Sequence, residues 1–186
     1  MRAFLAIGLP PPIRTALETL QQDLAHSGAD VKWVEPAHLH VTLKFLGEIA
    51  DEQRQAIEVL LKRVADRHRS FALGLGSVGA FPSVTAPRVI WVGLTVGHEH
   101  VSQLATAIDE AGAAFAVEKD VRPFSPHLTI GRVRSSRRRQ ELVRQLQRTA
   151  WEPPPPWQVG SLTFYQSILS SAGPSYTVLA DLPLAG

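Results

Sequence analysis

The same short pattern, His-x-Thr within an apolar run, occurs once in each half of the chain. The first copy lies in residues 40–47 and the second in residues 127–130. Polar and apolar residues alternate in both copies, which is typical of a half-buried strand. Because residues i and i+2 of a strand share a face, each copy predicts a histidine beside a threonine on one surface. In the first copy we expect the apolar members to point into the core: Val41, Leu43 and Phe45.

The spacing around the two copies indicates an internal repeat. A predicted strand at Phe4 precedes His40 by 36 residues, and one at Ile90 precedes His127 by 37 residues. Each interval holds a predicted helix, so each half reads strand, helix, strand. The sequence therefore predicts two similar lobes about a pseudo-twofold axis within one domain spanning residues 1–186. The two His-Thr pairs would meet in the cleft between the lobes, where ligand sites tend to lie.

Apolar periodicity and breaker residues give the remaining elements. Strands are expected at residues 3–9, 31–34, 71–75, 88–94, 158–169 and 176–182. Helices are expected at residues 13–24, 51–65, 101–115 and 135–148, with Asp51 as an N-cap. Residues 76–87 contain Gly76, Gly79 and Pro82 and are predicted to form a loop.

Composition excludes several classes of protein. The chain has no cysteine, which rules out disulfides, thiolate metal sites and a cysteine nucleophile. The apolar run before Pro10 is too short for a signal peptide or a membrane span, so we expect a cytoplasmic protein without membrane contact. The net charge is only +2, yet four arginines lie within residues 134–139. These form either a solvated helix start or a contact for a phosphate backbone.

Two imidazoles and two hydroxyls suit phosphoryl chemistry. One imidazole can take a proton from a nucleophile while the other gives a proton to a leaving group, and hydroxyls can bind anionic oxygens. Neither motif contains a carboxylate, so a Mg²⁺ or Ca²⁺ site is disfavoured and no cofactor is expected. A metal pair formed by His38 and His40 on one strand face is a less favoured alternative, since no third ligand is obvious.

Both motifs and their flanks resemble the two-histidine (2H) phosphoesterase superfamily, especially its RNA 2′,3′-cyclic phosphodiesterase branch, also called 2′-5′ RNA ligase. The resemblance covers nearly the whole chain. It is carried by residues 2–7, 32–34, 40–47, 81–82, 87–94 and 125–132, with Ser167 and Tyr176. Gly131 departs from it mildly, because relatives often carry alanine there, and we expect no effect on the chemistry.

The resemblance implies an α+β fold with two antiparallel sheets, helices on the outside and an active cleft between the sheets. It implies that His40 and His127 form the acid–base pair. We assign His127 as the base and His40 as the acid, an order that the sequence leaves open. Thr42, Thr129 and Arg132 would bind the phosphate. The expected substrate is an RNA ending in a 2′,3′-cyclic phosphate. The enzyme would hydrolyse this end to a 2′-phosphomonoester or join it to a 5′-hydroxyl in a 2′-5′ linkage. The expected oligomeric state is a monomer.

Aromatic residues offer further candidates. Trp33 and Trp91 are candidates for stacking on a nucleotide base, whereas Tyr176 and Ser167 are interpreted as structural. Two alternative functions remain open at this point. One is a phosphodiesterase for small nucleotides such as cyclic ADP-ribose phosphate or 2′-5′ oligoadenylate, and the other is a non-catalytic RNA-binding module.

Overall fold

The computed structural model describes residues 1–115, 117, 123–171 and 173–186. The strands within this part of the chain are β1 Arg2–Gly8, β2 Val31–Trp33, β3 His40–Glu48, β4 Phe71–Leu73, β5 Leu75–Ser83, β6 Ala86–Leu94, β7 His127–Val133, β8 Trp157–Val159, β9 Ser161–Ser170 and β10 Gly173–Pro183. The helices are α1 Pro11–Ala25, α2 Arg54–Ala65, α3 His98–Gly112 and α4 Arg139–Arg148. None of the helices described is long and apolar enough to cross a membrane.

Two antiparallel sheets carry the fold. One has the strand order β10-β9-β1-β3 and the other β2-β7-β6-β5, and β3 and β7 contact each other where the sheets meet. Helix α3 packs on β3 and helix α2 on β9 and β10, whereas α1 contacts β7 and α4 contacts β6. The two lobes are therefore interlocked, since the helix within each strand–helix–strand repeat packs on the sheet of the other repeat.

Helix α1 illustrates how the sequence pattern determines the packing. Pro11 and Pro12 occupy its first turn. Backbone N–H groups in the first turn have no acceptor within the helix, so their absence in proline costs no hydrogen bond, and the fixed φ of proline suits a helix. The predicted apolar stripe is buried throughout: Ile13, Leu17, Leu20 and Leu24. The polar Gln21 is buried with them, and its amide nitrogen donates to the carbonyls of Val34 and Ile130 at 2.8 Å each. This side chain ties α1 to β7.

A β-bulge in the first motif strand changes which side of the sheet the following side chains point to. Pairing of β3 with β1 passes from Thr42 directly to Lys44, so Leu43 is the extra residue. A bulge shifts the alternation of side chains by one. Lys44 is consequently buried and Phe45 is 68% exposed, so the prediction that Phe45 points into the core is wrong. Strand β7 has a bulge at the equivalent place, where pairing with β6 skips Ile130.

The predicted loop at residues 76–87 is wrong, because β5 and the start of β6 occupy this segment. Strand β5 lies at the edge of its sheet, and an edge position tolerates Pro82, which cannot donate to a ladder. Gly79 lies beneath the indole of Trp91, since a Cβ there would come within 2.3 Å of the ring. Pro82 is thus tolerated because β5 is an edge strand, and Gly79 is tolerated because the Trp91 indole packs over it.

All four helix starts differ from the prediction by two to four residues, since α1 and α3 begin earlier and α2 and α4 begin later. Helix α2 begins at Arg54 after a 3-10 turn at Asp51–Gln53, so Asp51 is not its N-cap. Helix α4 begins at Arg139 rather than near residue 135. Arg138, immediately before it, has a φ of 51°, a left-handed conformation that cannot be continued into a right-handed helix.

Candidate active site

The two motif histidines are held in the same way. Nδ1 of His40 lies 2.7 Å from the carbonyl oxygen of His38, and Nδ1 of His127 lies 2.7 Å from that of Ser125. A carbonyl only accepts hydrogen bonds, so Nδ1 carries the proton in both rings. Nε2 of each imidazole is therefore the nitrogen available for proton transfer.

One large cavity brings the two motifs together. It has a volume of about 1190 Å³. All the predicted catalytic and phosphate-binding residues line it, contributed by β3 of one sheet and β7 of the other: His40, Thr42, His127, Thr129 and Arg132. Two possible proton-transfer groups, two hydroxyls and one guanidinium thus share a single space. This combination suits transfer at an anionic phosphorus centre.

His40 lies against a wall of aromatic rings. Its ring centroid is 5.0 Å from that of Phe4, 6.3 Å from Tyr165 and 5.5 Å from Tyr176. Burial lowers the pKa of His40 to about 4, because an apolar environment disfavours the charged imidazolium. Its hydrogen bond to the His38 carbonyl opposes this shift, and the His38 side chain lowers the pKa further. In the unliganded site His40 is neutral at pH 7.

His127 occupies a more open position. Phe81 approaches it edge-on, with ring centroids 5.1 Å apart. Its hydrogen bond to Ser125 is exposed to solvent, whereas that of His40 is partly buried. The two histidines therefore share one hydrogen-bonding geometry but differ in their access to water.

Tyr176 belongs to the site, although the sequence alone favours a structural role for it. It lines the cavity, and its ring lies 4.8 Å from His38 and 5.5 Å from His40. Burial raises the pKa of its phenol, and the charge of Arg132 acts in the opposite direction. Tyr176 and Arg132 therefore face the same part of the cavity from opposite sheets. Ser167, its partner across β9 and β10, is not among the residues lining this cavity.

Two of the phenylalanines that line the cavity are exposed. Phe45 is 68% exposed and Phe81 is 37% exposed, and both line the cavity. Large exposed apolar side chains of this kind suit stacking on a base, because every base has a π-face. Simple alternation along β3 places Phe45 in the core, so the sequence pattern gives no signal for its exposure.

The two predicted stacking tryptophans are placed differently. Trp33 lines the cavity, but its register partner is Gly131. A Cβ at Gly131 would lie 2.8 Å from the indole of Trp33, and the indole packs against the hydrophobic core. Trp91 is paired with Thr129 and covers Gly79, but it is not among the cavity-lining residues. Stacking by either tryptophan remains a prediction.

The other candidates lie at the margin of the cavity or outside it. His38 belongs to a 3-10 turn rather than to β3, so the predicted pair on one strand face is wrong, and its ring lies 3.8 Å from the Glu35 carboxylate. In the described part of the chain, no three His, Cys, Asp or Glu side chains are grouped as metal ligands. The arginines of residues 134–139 do not line this cavity, and the Arg138 guanidinium packs over Gly28.

Comparison with known proteins gives consistent matches over the full chain. The family model described as LigT like Phosphoesterase matches residues 7–91 and 94–176. The RNA 2′,3′-cyclic phosphodiesterase of Aquifex aeolicus (strain VF5) is 33% identical over 193 residues, covering 100% of this chain and 98% of that protein. The solved structure of TT0787 of Thermus thermophilus is 29% identical with a TM-score of 0.81, covering 100% of this chain and 99% of that chain. The structure of E. coli LigT complexed with 3′-AMP is 27% identical with a TM-score of 0.78, covering 100% and 98% respectively.

Proposed function

Because the chain belongs to the LigT-like phosphoesterase family, we propose that it is an RNA 2′,3′-cyclic phosphodiesterase that acts through paired histidines. One observation carries this proposal. Two His-Thr pairs, one from each sheet, line the same cavity, and each imidazole is held through Nδ1 by the carbonyl two residues before it. Both Nε2 atoms are then available to a phosphate between them.

The reaction uses these groups in a single displacement. His127 takes a proton from water, whose oxygen attacks phosphorus and forms the new P–O bond. The bond between phosphorus and the ribose 3′-oxygen breaks, and His40 gives a proton to that oxygen. The products are a 2′-phosphomonoester and a free 3′-hydroxyl. A 5′-hydroxyl in place of water gives a 2′-5′ linkage by the same bond changes.

Three side chains stabilise the charge that develops on the phosphoryl oxygens. The hydroxyls of Thr42 and Thr129 donate hydrogen bonds, and Arg132 supplies a fixed positive charge. Such donors are most effective where water is excluded, since the local dielectric is low. Removing one of them is expected to lower kcat about 10²-fold.

The low pKa of His40 conflicts with its role as an acid unless the substrate changes it. A phosphodiester charge at ~4 Å contributes about 4 kcal/mol at an effective dielectric of ~20. This corresponds to about 3 pKa units, so a bound phosphate raises the pKa of His40 well above its value of about 4 in the unliganded site. His40 therefore takes up a proton as the substrate binds. If His40 is the base instead, binding requires no proton uptake by this residue.

Calorimetry in buffers of different ionisation enthalpy measures this uptake. We expect close to one proton per bound 2′-phosphomonoester at pH 6.5, and a clearly smaller number in His40→Asn. An uptake that is unchanged in His40→Asn would reverse the assignment of acid and base.

The activity itself is tested with an RNA oligonucleotide ending in a 2′,3′-cyclic phosphate and EDTA-treated protein. Wild type should produce a 2′-phosphate end, and His40→Asn and His127→Asn should each be slower by about 10²–10⁴-fold. The exposed His26 provides the matched control, since His26→Asn should retain full activity. Substantial turnover in both active-site variants would refute the mechanism, and binding without turnover in wild type would favour an RNA-binding module.

A phosphodiesterase for small nucleotides is the second candidate. E. coli LigT has been solved with NADP+ and with ATP, and the cavity of about 1190 Å³ is large enough for such ligands. Turnover of cyclic ADP-ribose phosphate or 2′-5′ oligoadenylate faster than that of an RNA end would favour this candidate.

We also propose that a monomer suffices and that residues 1–186 act as one two-lobed domain. Strands from both halves build the cavity and the helices pack across the repeats. A single unfolding transition and a monomeric mass by light scattering are expected. The cytoplasmic location remains a prediction.

A further inference from the structure

Two cations face each other across adjacent strands at one edge of the second sheet. The register of β2 and β7 puts Lys32 directly opposite Arg132. Both side chains are exposed, and both line the active-site cavity. Within the described residues, neither forms a salt bridge with a carboxylate. Like charges directly opposite destabilise a sheet, and an anion between them would remove that repulsion.

Lys32 reaches across the cavity to the other sheet. A methyl group added at Gly173, the first residue of β10, would lie 3.2 Å from the Lys32 ammonium. Tyr176, three residues further along β10, is within reach of the Arg132 charge. The two cations and this segment of β10 therefore close one end of the cavity, and the wall they form carries two positive charges.

Lys32 lies at the end of the cavity away from His127, although Tyr176 in the same wall has its ring 5.5 Å from that of His40. Arg132 follows His127 by five residues along β7, one of which is the bulged Ile130. At ~3.3 Å per residue the separation along the strand is roughly 13 Å, and Lys32 lies one strand further out. Arg132 is long enough to reach back to the reacting phosphate, whereas the Lys32 ammonium lies beside Gly173 of the other sheet.

We propose that Lys32, beside Arg132, forms a second anion site that binds the internucleotide phosphate next to the cyclic phosphate. This inference rests on the proposed function and narrows its substrate class to oligonucleotide ends. Every RNA end carries such a phosphodiester one nucleotide away from the terminal ribose, and a free cyclic mononucleotide lacks it. Arg88 also lines the cavity from β6 of the same sheet, next to Val89, which is the cross-strand partner of Arg132.

Three substrates separate the second site from the first. They are adenosine 2′,3′-cyclic phosphate, the dinucleotide ApA ending in the same group, and this dinucleotide with a neutral methylphosphonate linkage. One charge-assisted contact changes kcat/KM by about tenfold. Wild type should prefer the charged dinucleotide over the other two by about this factor, and Lys32→Gln should reduce the preference to two- or threefold at most. Lys62→Gln, on the exposed face of α2, removes the same charge and should keep the full preference.

Each alternative result has a definite meaning. An equal loss for all three substrates in Lys32→Gln would mean that Lys32 serves the reacting phosphate or the fold, and would overturn the proposal. If wild type has the same kcat/KM for the methylphosphonate dinucleotide as for the phosphodiester dinucleotide, the proposal is also overturned. The melting temperature adds a further readout, since Lys32→Gln relieves a like-charge pair and should leave the unliganded protein unchanged or more stable. A clear fall in melting temperature would assign Lys32 a structural role instead.

Failure of the proposed function can be distinguished from failure of this site. If wild type hydrolyses none of the three substrates, the dissociation constants of ApA ending in a 2′-phosphate and of its methylphosphonate analogue decide the question. A tenfold difference that Lys32→Gln abolishes supports the second anion site on its own. Equal constants overturn it.

Discussion

The buried neutral state of His40 makes the stability of the fold depend on pH. The pKa of His40 is lowered from 6.5 to about 4 by burial, so the unfolded chain binds a proton between these values that the folded chain does not. Stability is therefore fully present above about pH 6.5 and is lost as the pH falls towards 4. A difference of ~2.5 pKa units corresponds to about 3 kcal/mol in total, of which about 2 kcal/mol is lost by pH 5.

Urea unfolding at a series of pH values measures this dependence. His40→Asn keeps a donor for the His38 carbonyl and removes the titrating group. Between pH 7.5 and 5 the free energy of unfolding should fall by about 2 kcal/mol more in wild type than in His40→Asn. His68, whose pKa burial also lowers, contributes to both proteins and cancels in the difference. His26→Asn, at an exposed position, should follow wild type. Parallel curves for wild type and His40→Asn would refute the buried neutral state.

Three further substitutions test the packing and the cavity. The Lys44 ammonium lies 2.6 Å from the Asp109 carboxylate and is almost fully buried. In urea titrations, Lys44→Met should therefore lower the free energy of unfolding by about 3 kcal/mol. Adding Asp109→Leu should restore most of the lost free energy. Gly79→Ala places a methyl group 2.3 Å from an indole carbon and should destabilise by about 1–3 kcal/mol, whereas Gly160→Ala, with open space around it, should not. Phe45→Ala should change the free energy of unfolding by less than about 0.5 kcal/mol. It should raise KM for an oligonucleotide by about tenfold, because stacking on a base is lost. An unchanged KM would count against stacking.

Local periodicity predicts the motif strands well until the backbone departs from simple alternation. His40 and Thr42 share a face as the period of two requires, and both line the cavity. The bulge at Leu43 then reverses the facing of the next residues in β3, so a lysine enters the core and Phe45 enters the cavity. A bulge depends on the partner strand, which a single segment of sequence does not contain. The residues after the threonine could therefore not be placed from the pattern alone.

Contacts between distant segments cannot be predicted from the local sequence pattern for a related reason. Tyr176 reaches the site because β10 pairs with β9, which pairs with β1 beside the first motif strand. Nothing in the residues around Tyr176 signals this chain of pairings. Gly79 and Pro82 mislead in the opposite direction, since they favour a loop until the edge position of β5 and the covering indole of Trp91 are known.

The repeat makes the two histidines alike in geometry, and their surroundings make them different in chemistry. The Nδ1 contacts to the carbonyl two residues earlier match at 2.7 Å, and the bulges fall three residues after each histidine. Three aromatic rings from β1, β9 and β10 lie against His40, namely Phe4, Tyr165 and Tyr176, whereas the Phe81 ring lies against His127. Two identical imidazoles in identical environments would titrate together, and an acid–base pair needs one protonated and one neutral partner. The aromatic surroundings of His40 lower its pKa, and under the proposed mechanism the phosphate of the substrate raises it again.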